Sequence, residues 1–62
     1  MLDCILKIKD KRRAFIKLKK DEVIITVNYE KATVFNSPGE AMRKAIELQE
    51  MFGEPIAKIV RI

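Results

Sequence analysis

Apolar and charged residues alternate along the first two stretches of this chain, and that alternation fixes most of what it can become. From Leu2 to Lys9, the residues Leu2, Cys4, Leu6 and Ile8 share one parity, and Asp3, Ile5, Lys7 and Lys9 the other. From Arg13 to Lys19 the pattern repeats, with Ala14, Ile16 and Leu18 against Arg13, Phe15, Lys17 and Lys19. A period of two predicts strands with one buried face. A one-residue slip would turn every side chain to the wrong face, so both apolar sets must lie together. Pairing Ile8 with Ala14, Leu6 with Ile16 and Cys4 with Leu18 achieves this and leaves Asp10, Lys11 and Arg12 as the hairpin loop.

Val23 to Asn28 is rich in β-branched residues and predicts a third strand. Opposing Val23 to Leu18 makes Lys19 to Glu22 a turn. The same register sets Phe15 beside Thr26 and Lys17 beside Ile24. The segment from Ala32 to Phe35 reads in two ways. It is either a short fourth strand after a turn at Asn28 to Lys31, or a bent continuation of the third.

At Ser37 the period changes. Ser37, Pro38, Gly39 and Glu40 have the order of an N-cap followed by the first helical turn. The serine hydroxyl can accept from the Glu40 amide, the Glu40 carboxylate can reach back, and proline suits a position whose N–H would have no partner. A helix is expected to about Phe52, with Ala41, Ala45, Leu48 and Phe52 on one arc flanked by Met42 and Met51. Gly53 is a natural terminator and Pro55 prevents resumption. Ile56 to Ile62 then predicts a last strand with apolar residues at both parities, as expected where both sides are covered or where a partner buries the outer face.

The expected fold is α+β: a two-layer sandwich in which one helix lies on one face of a mainly antiparallel sheet of four or five strands. Meander pairing orders the first strands sequentially. The last strand docks antiparallel beside the first if four strands precede the helix. The 62 residues make one domain, 1–62. A chain of this length buries only about 60% of its unfolded surface, so little stability is in surplus.

Composition limits the chemistry. There is no histidine, which removes the commonest general base and metal ligand. The single cysteine, Cys4, cannot form an internal disulfide and shares the apolar parity, so it reads as a small buried residue. Ser37 is accounted for as a cap. Asp21 and Glu22 are adjacent carboxylates in an expected turn, which reads as solvated surface. The two glycines build no phosphate-cradling loop. No catalytic residue, cofactor or metal site is expected. No apolar run reaches the length of a membrane span, no export signal is evident, and a reducing cytoplasmic setting is expected.

The charge is unevenly placed. The first twenty residues hold eight basic and two acidic side chains, a local +6 within a chain of net +4. On the parity facing away from the expected helix, Lys7, Lys9, Arg13, Lys17 and Lys19 surround Ile5, Phe15 and Ile24. Nothing else in the pattern is expected to cover these apolar residues. They read either as tolerated surface hydrophobes or as a contact surface inside a polar rim. A protein partner or a second copy of the chain suits the apolar residues best. Nucleic acid is the alternative, with lysines for phosphates and Phe15 as a stacking platform.

From Lys31 to Glu50 and in the last strand, Ala32, Phe35, Ser37, Glu40 and Ala41, then Lys58, Ile59 and Val60, form a strand, a capped helix and a Val/Ile-and-Lys strand. This pattern resembles small uncharacterised proteins of bacteriophages and prophages. The resemblance covers about half of the chain. It implies a non-enzymatic accessory protein acting on host or phage macromolecules in a bacterial cytosol. It transfers no functional residues.

Overall fold

A computed structural model describes residues 3–20 and 22–62. The expectations placed on Leu2 and on Asp21 lie outside the described residues. The elements are β1 (Cys4–Ile8), β2 (Phe15–Lys19), β3 (Glu22–Thr26), a 3-10 turn (Tyr29–Lys31), α1 (Pro38–Phe52) and β4 (Ala57–Arg61). The sheet order is β3-β2-β1-β4, with every named pairing antiparallel. With α1 packed on one face, the domain is the expected α+β sandwich.

Three of the expected pairings are present as read. β3 meets β2 with Leu18 opposite Val23, Lys17 opposite Ile24 and Phe15 opposite Thr26. β4 docks antiparallel beside β1, with Leu6 opposite Ile59. Lys7 faces Phe15, and the Ile8 N–H donates to the Ala14 carbonyl at 2.8 Å.

Beyond that point the first hairpin departs from expectation. The Leu6–Ile16 and Cys4–Leu18 pairs do not form, because β1 and β2 splay apart and the segment 32–35 occupies the gap. The Thr33 N–H donates to the Ile16 carbonyl at 3.1 Å, and Thr33 Oγ1 accepts from the Leu18 N–H at 2.7 Å. On the other side, Phe35 and Cys4 exchange two backbone bonds of 2.7 and 2.9 Å. The segment is therefore neither a continuation of β3 nor a strand next to it. It lies between the first two strands and supplies the partners they would otherwise give each other.

This insertion works because the segment alternates too. Ala32 packs with Ile5, Phe15 and Val60 on the face away from α1. Phe35 packs on the helix side with Cys4, Leu6, Ile16, Ala41 and Leu48. Cys4 is buried in that core, as its parity suggests.

The helix begins as expected, with Ser37 Oγ accepting from the Glu40 N–H at 3.3 Å and Pro38 in the first turn. The return bond from the Glu40 carboxylate is not made. Gly53 closes the helix at φ 79°, a conformation that suits glycine, with its N–H on the Gln49 carbonyl. Fully buried Ala41 lets α1 lie close to the sheet. The helix packs chiefly on β4 and β1 and leaves β2 and β3 less covered. The two-sided apolar pattern of the last strand is now explained: Ala57 and Ile59 face the helix, and Val60 faces the second cluster.

Candidate functional site

The face of the sheet away from α1 carries Ile5 and Lys7 on β1, Phe15, Lys17 and Lys19 on β2, Glu22, Ile24 and Thr26 on β3, and Lys58 and Val60 on β4. Its apolar residues were expected to be bare, and here the structure corrects the sequence. Ile5 is 1% exposed and Phe15 is 9% exposed, while Ile24 is half-buried. The cover comes from the stretch between β3 and α1. After Thr26 the chain turns back over this face, and the Tyr29 ring meets Phe15 edge-on, with centroids 5.8 Å apart and planes at 83°. Ala32 then caps Ile5 and Phe15 before the chain enters the sheet. Ile5 and Phe15 belong to a second core and are not available as contacts.

The stretch is pinned by short polar bonds. The Asn28 N–H donates to Thr26 Oγ1 at 3.1 Å, and Asn28 Oδ1 accepts from the Glu30 N–H at 2.9 Å, capping the 3-10 turn. These bonds hold the Tyr29 ring in place with 46% of the residue exposed. Tyr29 thus takes the surface aromatic position that the sequence pattern gave to Phe15. A tyrosine in an irregular connection carries no periodic signal, so pattern reading misses it.

The cations remain outside. Lys9 and Arg13 are exposed at the tip of the first hairpin, with Lys11 and Arg12 between them, and Lys19 is exposed at the far end of β2. Lys7 and Lys17 are half-buried, as expected of long side chains lying along apolar surface. Lys7 Nζ donates to the Lys11 carbonyl, which ties it to the hairpin loop. Asp10, at φ 65°, gives the loop its left-handed residue.

The structure adds Lys58 to this group. Lys58 sits on β4 directly opposite Lys7 on β1, and both belong to the face away from the helix. Like charges directly opposed across two strands destabilise a sheet. Among the described residues the one ion pair is Lys44–Glu47 on the helix, at 2.5 Å. Neither Lys7 nor Lys58 is neutralised by a carboxylate. One end of the sheet therefore gathers Lys7, Lys9, Arg13 and Lys58 near the Tyr29–Phe15 ring pair. Lys19, by contrast, faces Glu22 at the opposite end of the sheet.

Among the described residues no group of three His, Cys, Asp or Glu side chains is placed to hold a metal ion. No helix of these residues is long and apolar enough to cross a membrane. Comparison with known proteins finds no matching family model, no matching curated protein and no matching solved structure.

Proposed function

We propose that this chain is a non-enzymatic binding protein whose cationic sheet end, Lys7, Lys9, Arg13 and Lys58, with Lys17 next along the same face of β2, engages nucleic acid beside the exposed Tyr29 ring. The observation that carries the reading is the unneutralised Lys7–Lys58 pair. A sheet that holds two like charges in register without a counter-ion forgoes stability, and a bound phosphate would relieve the repulsion. Protein contact through the same face has less support once Ile5 and Phe15 are internal. A single strand fits better than a duplex. An exposed ring offers a stacking platform only to an unpaired base, and the one long helix carries Glu40, Glu47 and Glu50, which would repel a major groove. The phage or prophage accessory role in a bacterial cytosol, implied by the resemblance, goes with this proposal.

Fluorescence anisotropy with labelled single-stranded and duplex oligonucleotides tests it. Wild-type protein should prefer the single strand. Tyr29→Ala should weaken single-strand binding by about 1–3 kcal/mol, the usual worth of one base–aromatic stack, and leave duplex binding nearly unchanged. Equal loss on both substrates would remove stacking from the account. No binding to either at low salt would end the proposal.

A further inference from the structure

We infer that β3 is a self-pairing edge, joining two copies of this chain into one continuous eight-stranded sheet. The inference stands on β3 alone and does not depend on what the cationic face binds.

β3 is an edge strand, hydrogen-bonded within the sheet only to β2. Edge strands of isolated domains are usually blunted by lysine, proline or a bulge. The other edge, β4, carries Lys58 and Arg61. β3 reads Glu22, Val23, Ile24, Ile25 and Thr26, with one charge at its start and none of those devices. Ile25 is 60% exposed on the helix side of the sheet, where β3 is least covered by α1. A groove lies between the start of β3 and the end of α1, lined by Leu18, Val23, Leu48 and Met51, with Ile25 farther along the edge.

The charges along this edge favour an uncharged strand such as a second β3. Of the charged residues beside the groove, Lys44 is already paired with Glu47 on the helix. Lys20 and Glu22 leave the edge without net charge, so a strongly acidic or basic partner gains nothing there. An isologous two-fold contact needs a strand that can face its own copy without opposing like charges. Antiparallel pairing centred on Ile24 would set Val23 opposite Ile25 and Glu22 opposite Thr26, so no like charges oppose. It would also send the two cationic hairpin tips to opposite ends of the dimer, which matters for a chain of net +4. A two-fold axis perpendicular to the sheet would keep both helices on one face and both lysine-bearing surfaces on the other. The pair would then offer two binding surfaces on one side.

Sedimentation equilibrium of the wild type and of Ile25→Lys tests this. The wild-type mass should be twice that of the chain at high concentration and fall toward one chain on dilution. Ile25→Lys should be folded by circular dichroism and have half the wild-type mass at every concentration where the wild type pairs. Wild type with the mass of one chain throughout would overturn the inference, and so would a folded Ile25→Lys that still pairs. Hydrogen exchange on the wild type needs no variant. Amides of β3 should exchange more slowly as concentration rises, whereas unchanged β3 exchange in a dimeric sample would place the contact elsewhere and overturn the inference.

Discussion

The two faces of this sheet are closed by different means. One is covered by a regular fifteen-residue helix with a serine cap at its start and a left-handed glycine at its end. The other is covered by an irregular connection, a single 3-10 turn and the residue that follows it. Both exclude water from large apolar side chains: Leu48 and Ile16 on the helix side, Ile5 and Phe15 on the other. In so small a domain, one helix cannot bury two faces. The chain solves this by threading 32–35 into the gap between β1 and β2, so that one segment feeds both cores. The difference also sorts the charges. The helix covers β1 and β4 on its face, whereas the thin connection covers the ring of Phe15, leaving Lys7 and Lys17 half-buried and Lys9, Lys19 and Lys58 in solvent.

The largest expected effect comes from removing the Phe15 ring. If the connection-covered side is a true core, Phe15→Ala should cost about 3–5 kcal/mol, comparable to Leu48→Ala on the helix side at about 2–5. Urea unfolding measures both. A Phe15→Ala loss below about 0.5 kcal/mol would mean that the second face is ordinary surface.

A smaller effect sharpens the role of the inserted segment. Thr33→Val removes the acceptor of the part-buried Leu18 N–H while keeping the shape, and should cost about 1–3 kcal/mol. Thr33→Ser should recover most of this. Equal stability of the Val variant and the wild type would mean that the insertion does not hold β2.

The smallest effect has the opposite sign. Lys58→Glu replaces a like-charge pair with a complementary one and should raise stability by about 0.2–1 kcal/mol, screened by salt. The same variant should weaken oligonucleotide binding. A gain in stability coupled to a loss of binding is expected of a residue kept for function, and a loss of both would show that Lys58 is structural.

Much of the architecture was legible in the sequence because it rests on local signals. The period-two runs gave β1 and β2, the β-branched run gave β3, the Ser37–Pro38 start and Gly53 gave α1, and the two-sided apolar pattern of the last strand pointed to cover on both faces or to a partner. The insertion of 32–35 was not legible. Sequential strands pair in most sheets, and nothing in Ala32 to Phe35 marks which neighbours it will join. The burial of Phe15 was hidden for the same reason, since its cover comes from a connection with no period. The site was half legible. Parity placed Lys7, Lys9, Arg13, Lys17 and Lys19 together on the face away from the helix; Lys7, Lys17 and Lys19 are there, whereas Lys9 and Arg13 lie beyond the strand ends at the hairpin tip. The Lys58 position depends on how β4 registers against β1, and the Tyr29 position on how the turn folds back.

If the lysine-bearing end of the sheet meets phosphates, the affinity for a single strand must fall as salt rises. Contacts from Lys7, Lys9, Arg13, Lys17 and Lys58 predict a straight line of log affinity against log salt with a slope of about −3.5, at about −0.7 for each phosphate neutralised on a single strand. Lys58→Glu should make that slope shallower. A slope near zero, with affinity retained at high salt, would contradict the account.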